Sequence, residues 1–199
     1  MARLRPFFQN GWLTPCTHRT SPHYNERPAG MQPRLVVLHF ISLPAGVFTG
    51  ETVDALFQGK LLETEDPALA EVRGLKVSSH FFIRRSGELR QYVSADKRAW
   101  HAGVSVFEGV SGCNDYSVGI EIEGTGEVPY TAAQYRSLGK VLRALVRAYP
   151  IRAVTGHEFI APGRKSDPGP FMDWSRIRAL LPARVRIVTS PQTPAAKAD

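Results

Sequence analysis

Within residues 155–170, TGHEFIAPGRKSDPGP, His157, Lys165 and Asp167 offer an imidazole nitrogen, a cation and a carboxylate. Together they are the raw material of a catalytic metal site. Histidine and aspartate suit zinc through nitrogen and hard oxygen, and with a third protein ligand the metal keeps one position open for a reactive water. The repeated prolines and glycines remove amide donors and loosen the backbone, so the stretch is expected to be an irregular loop shaped by function. The spacing of His157 and Asp167 is weak evidence alone, because such pairs occur by chance in many loops.

The third ligand must come from elsewhere, and the chain has six histidines. His39 is best placed, at the C-terminal end of an apolar run where α/β sheets build ligand sites. His80 would begin a strand and reads as a satisfied core histidine. His101, in AWHAG beside Trp100, looks more like a pocket wall than a ligand, and His18 and His23 sit in a proline-rich segment as exposed residues. Residue chemistry alone leaves this choice open.

The elements that must position these groups are legible in outline. RLVVLHF (34–40) is a continuous β-branched and apolar run, suited to a strand buried on both faces. SHFFIRRSGELRQYV (79–93) contains two apolar runs around Ser86 and Gly87 and predicts a hairpin. SVGIEIE (117–123) alternates, with Val118, Ile120 and Ile122 on one face and Ser117, Gly119, Glu121 and Glu123 on the other. Two carboxylates therefore share a polar face, and alternation cannot choose a catalytic base between them. From Thr131, a capping box with Gln134 opens a helix that places Tyr135, Leu138, Leu142, Leu145 and Tyr149 at helical spacing and stops at Pro150. A shorter helix capped by Asp173 is expected to bury Trp174, Ile177, Leu180 and Leu181. Residues 54–75 read as a partly helical excursion, and the small, polar sequence after Val188 as a frayed tail.

With 199 residues and 43% hydrophobic composition, the chain suits one core. The expected architecture is a single α/β domain with a central mixed β-sheet flanked by helices and a zinc site at one edge in a cleft. A net charge of +7 suggests an anionic ligand, but the basic residues are scattered and no nucleic-acid motif interleaves them. No nucleic-acid partner is expected. No secretory signal is visible at the N-terminus, and no apolar run is long enough for a membrane span. With only Cys16 and Cys113 present, reduced thiols and a cytoplasmic location are expected.

LVVLHFISLP, DKRAWHAGVS, CNDYSVGIEIEGT and the 155–170 stretch resemble, in order, successive motifs of the zinc-dependent N-acetylmuramoyl-L-alanine amidases. The likeness runs from about residue 11 to residue 181, which implies an amidase domain over 1–187 with 188–199 as tail. Within the superfamily the chain most resembles the cytoplasmic AmpD-type branch, which acts on soluble anhydro-muropeptides. The resemblance implies one zinc ion held by His39, His157 and Asp167. Relatives that recognise or digest intact wall often carry cysteine at the third ligand, so Asp167 favours this branch. It also implies Glu121 as catalytic base and Lys165 as the cation beside the developing oxyanion, leaving Glu123 as a rim or salt-bridging residue. Phe40, Lys76, Trp100, His101 and Asn114 are the expected substrate-binding positions.

Three departures bear on recognition. Phe40 stands where the family often has asparagine, Gly112 where an arginine commonly precedes CND, and Lys76 where another arginine is common. A lysine lacks the planar fork that grips carboxylates in two places. The competing expectations are a peptidoglycan-recognition module without catalysis and a lytic enzyme acting on intact wall. The sequence does not fix the oligomeric state.

Overall fold

The computed structural model describes residues 6–61 and 66–193. Its core is a seven-stranded mixed sheet. In chain order the strands are β1 (Thr17–His18), β2 (Leu35–Ile41), β3 (Phe81–Ile83), β4 (Leu89–Gln91), β5 (Ser117–Glu123), β6 (Ala153–Gly156) and β7 (Arg186–Val188). They lie in the order β7-β6-β2-β5-β3-β4-β1. From β7 to β3 every neighbour is parallel, and β4 turns antiparallel through the expected hairpin, with Phe82 opposite Arg90. At that turn Gly87 adopts φ +86 and donates its amide to Arg84 O, a conformation that favours glycine.

β2 and β5 are the central pair and the longest strands. The helix α2 (Ala132–Ala148) covers one sheet face. Its capping box is formed, with Thr131 Oγ1 accepting from Gln134 N and Gln134 Oε1 from Thr131 N. Leu138, Leu142 and Leu145 pack against Val36, Leu38, Val118, Ile120 and Ile122. Each such leucine, removed from water, contributes about 1.5–3 kcal/mol. α2 therefore fixes which face of β2 and β5 is core, and every other residue must turn the opposite way.

That opposite face is covered too. The short helix α1 (Thr52–Phe57) seals one part with Val53, Leu56 and Phe57 against Phe82 and Tyr92. Leu35, Val37 and Ala153 seal another with Phe107, Tyr116 and Ile160. All of β5 is buried, including the two carboxylates of its polar face. The 155–170 stretch also differs from a simple loop: Thr155 and Gly156 close β6, and His157–Ile160 form one helical turn, α3. The irregular part begins only at Ala161, before the Pro162–Gly163 pair.

The C-terminal helix α4 (Trp174–Ala179) starts where expected, with Asp173 Oδ1 accepting from Arg176 N at 2.9 Å. It buries Ile177, with Leu181 beyond it, whereas Trp174 and Leu180 stay partly exposed. The excursion is α1 followed by a turn of 3-10 helix at Pro67–Leu69. Just after β7, Gln192 N donates to Phe159 O and Gln192 Oε1 accepts from Glu108 N, tying residues near 192 to the body. Residues 194–199 of the expected tail lie outside the described residues.

Candidate metal centre

Three adjacent pieces of backbone deliver the ligand candidates. His39 is near the C-terminal end of β2, His157 opens α3 directly after the neighbouring β6, and Asp167 is carried back to them by the loop after α3. Glu158 N donates to Asp167 O at 2.7 Å, and Tyr130 Oη donates to Pro168 O at 2.7 Å, pinning that return. Gly156 permits it: a Cβ there would meet Pro168 Cδ at 2.6 Å.

His39 Nδ1 lies 3.0 Å from His157 Nδ1 and 2.8 Å from Asp167 Oδ2, and His157 Nδ1 lies 3.1 Å from the same oxygen. All three residues are buried. Their outer nitrogens are engaged elsewhere: His157 Nε2 faces Ala102 O at 3.0 Å, and His39 Nε2 faces His101 Nδ1 at 3.0 Å. The Ala102 carbonyl can only accept and lies nearer than the Arg164 guanidinium at 3.4 Å, which favours a proton on His157 Nε2 and a lone pair at Nδ1. Three electron-rich atoms thus converge in a buried place, a repulsive arrangement unless a cation joins them. Two nitrogens and one oxygen suit a divalent transition metal with one position left open. The His39–His157–Asp167 set could hold such an ion.

Electrostatics of the separate groups agree with this. Burial, reinforced by His157, lowers the His39 pKa to about 4, keeping the imidazole neutral. Glu121 is opposite: burial first, then the negative charge of Asp167, pushes its pKa well above the carboxylate norm, with Lys165 pulling the other way. Glu121 Oε2 is buried without a hydrogen-bond partner among the described residues. Such an orphaned acceptor is costly in a core and is what an acid–base group needs for a substrate or water proton.

In the β2–β5 ladder Glu121 pairs with His39, so the two stand side by side on one face. Glu123, the competing carboxylate, is occupied: Oε2 accepts from Arg85 N at 2.7 Å and Oε1 lies 3.5 Å from Arg84 Nε. Structure thereby separates two residues that alternation could not.

These groups floor a cleft of about 470 Å³. Lys165, exposed on the loop, reaches its edge, and Phe40, Trp100 and His101 line it. Trp100 Nε1 donates to Asn25 Oδ1, and its ring stacks with His23 at 6.2 Å. An apolar wall of Ile41, Leu43, Leu56, Phe57, Val72 and Leu75 completes it. The remaining expected positions lie elsewhere. Lys76 lines a separate small cavity with His23 and Leu61, and Asn114 braces the cleft from behind, its Oδ1 accepting from His101 N and Ala102 N. His80 is the satisfied core histidine, with Nδ1 accepting from Gly119 N.

Sequence reasoning missed Arg164, which lines the cleft and donates to Ala102 O at 2.8 Å and Val104 O at 2.6 Å. Its place immediately before Lys165 was the available signal. The apolar wall was missed as well, because nothing in residues 54–75 marks which side of a short helix faces a ligand.

A sequence profile described as N-acetylmuramoyl-L-alanine amidase matches residues 29–170. The chain is 51% identical over 175 residues to the 1,6-anhydro-N-acetylmuramyl-L-alanine amidase AmpD of Enterobacter cloacae, covering 87% of this chain and 94% of that protein. It is also 51% identical over 175 residues to AmpD of Escherichia coli (strain K12), covering 87% and 96%. The crystal structure of a Se-Met AmpD derivative superposes with a TM-score of 0.86 at 50% identity, over 88% of this chain and 99% of that one.

Proposed function

The chain belongs to the N-acetylmuramoyl-L-alanine amidase family, and from that premise we propose that it cleaves soluble anhydro-muropeptides in cell-wall recycling, using one zinc ion held by His39, His157 and Asp167. It is a hydrolase of a C–N amide bond. The bond in question joins the lactyl group of anhydro-N-acetylmuramic acid to L-alanine. The observation that supports the zinc assignment is the triangle formed by His39 Nδ1, His157 Nδ1 and Asp167 Oδ2, all buried, with His157 Nε2 turned outward to the Ala102 carbonyl.

Bound there, zinc would supply Lewis acidity toward the scissile carbonyl and the attacking water. Glu121 takes the proton of that water through its unpartnered Oε2 and passes it to the departing alanine nitrogen. Its raised pKa matches both halves of this task, since a carboxyl that holds a proton more tightly is a better base. Lys165 places a positive charge at the cleft edge, where the carbonyl oxygen becomes negative. Trp100 and Phe40 offer aromatic faces to the sugar and the peptide stem, and the apolar wall excludes water from the far side. Lys76 is retained only as an outer contact for the acidic stem.

The same proposal treats residues 1–187 as one amidase domain and assigns the enzyme to the cytoplasm. Cys16 and Cys113 are unpaired, which suits a reducing compartment, and among the described residues no helix is long and apolar enough to cross a membrane. The test compares zinc-loaded and chelator-stripped protein on an anhydro-N-acetylmuramyl peptide and on intact sacculi. Cleavage of the soluble substrate alone, abolished by stripping and restored by zinc, is the expected result. Preferential digestion of sacculi would replace the recycling role with a lytic one, and muropeptide binding without turnover would make the protein a recognition module.

A further inference from the structure

The sequence suggested that His101 lines the cleft, and one edge of its ring does. The rest of the ring is committed elsewhere. His101 Nδ1 lies 3.0 Å from His39 Nε2, and its Nε2 lies 3.1 Å from Ser117 Oγ. Ser117 is fully buried at the start of β5, and the His101 backbone is held by Asn114. The imidazole is therefore anchored at both ring nitrogens and at its main chain.

Gly119 supplies an independent observation. It sits in the middle of β5, where a β-branched residue would suit the strand, and its backbone is not in the left-handed region that calls for glycine. A Cβ at this position would fall 2.5 Å from His101 Cγ and 2.7 Å from His101 Nδ1. Glycine is needed here to admit the ring, and a ring fixed at both nitrogens has little room to withdraw.

We propose that His101 is a positioning residue for the metal centre: it fixes the tautomer and orientation of His39, is itself held by Ser117, and requires Gly119 for its seat. If His39 is to give its Nδ1 lone pair to a cation, its proton must be on Nε2, and that proton needs an acceptor in a buried place. His101 Nδ1 is that acceptor. The proton of His101 then lies on Nε2 and is donated to Ser117 Oγ, so the line Ser117–His101–His39 has one polarity when the site is loaded. His157 has a backbone carbonyl in the same capacity; His39 depends on a side chain, which substitution can remove.

This inference rests on the zinc reading, and the experiment separates the two. Zinc affinity is measured by chelator competition on wild type, H101L, H101N, G119A, H101A and the H101A/G119A double variant, alongside thermal melts of the metal-free proteins. H101L, which keeps bulk but has no acceptor, should bind zinc about 10- to 100-fold more weakly. H101N, whose Oδ1 can replace Nδ1, should recover most of that loss. G119A alone should weaken zinc like H101L, yet add almost nothing in the H101A background, because the clashing ring is gone. Equal zinc affinity in wild type and H101L, no recovery by H101N, or additive G119A and H101A effects would each overturn the positioning role. A wild-type protein that binds no zinc would instead remove the metal assignment itself.

Discussion

Two of the polar clusters among the described residues, one around Arg90 and one around His39, are built on opposite plans. In one, Arg90 is gripped by Asp54 and by Glu88 and Glu51, while Tyr92 Oη donates to Asp54 at 2.5 Å, so the buried carboxylate meets donors. In the other, His39, His157 and Asp167 turn acceptors toward one another, and Glu121 Oε2 has no partner among the described residues. The satisfied cluster clamps α1 to the sheet; the unsatisfied one could hold a cation. Burial makes both expensive, but only the second leaves its electrostatics unfinished.

Substitutions should therefore divide cleanly between stability and chemistry. The largest effect is expected from Glu121→Gln, which should lower amide hydrolysis by about 10²–10⁴-fold while leaving the melting temperature and zinc stoichiometry intact. A variant retaining a tenth or more of wild-type turnover would strip Glu121 of its role. Asp54→Ala should do the reverse. With Tyr92 Oη left without its acceptor and Arg90 held only by Glu88 and Glu51, urea unfolding should show a loss of about 1–3 kcal/mol, and zinc affinity of the folded fraction should hold. If zinc binding fell in parallel, the two clusters would not be separate. Lys165→Met should reduce kcat by about 10²–10³-fold with little change in stability, since the residue is exposed; an unchanged kcat would make it one surface lysine among many.

The smallest effect concerns pH. Burial, with help from Arg27, lowers the His80 pKa to about 3 from its ordinary 6.5. A histidine kept neutral in the fold contributes stability that is full above about pH 6.5 and drains away as pH falls toward 3. The carboxylates on Arg90, Glu51 and Glu88, have lowered pKa values, so their contribution fades only below about 4.5. The unfolding free energy from urea titrations should therefore drop between pH 7 and pH 5, with His80 contributing on the order of 2 kcal/mol beside His39 and His101, and His80→Asn should remove its share of that slope. A slope that His80→Asn leaves untouched would trace the acid sensitivity to other groups.

What the sequence disclosed follows from the range of the interactions involved. α2 was readable to its cap because the capping box and the leucine stripe are local, and β2 and β5 were readable because their apolar runs are. The helical turn at His157 was not. Proline and glycine dominate the composition of 155–170 but cluster after Ala161, so a one-turn helix fits in front of them. The polar face of β5 was legible as a pattern but its burial was not, because what covers it, such as His101 over Gly119, comes from another part of the chain. The Arg90–Asp54 pair spans 36 residues and left no local mark. Lys76 and Asn114 share motifs with cleft residues, yet neighbours in sequence can face different cavities. His101 looked like a wall because neither Ser117 nor Gly119 announces in the sequence what it stands next to.

The pairing of Glu121 with His39 across β2 and β5 has a practical corollary. Because side chains alternate along a strand, a slip of β5 by one residue would turn Glu121 into the leucine-rich layer under α2 and bring Ile122 beside His39. The placement of Glu121 beside His39 and correct assembly are thus read by the same ladder. A preparation containing misassembled molecules would show fewer competent sites, each working at full rate, so counting active sites in a refolded sample would also count correctly registered sheets.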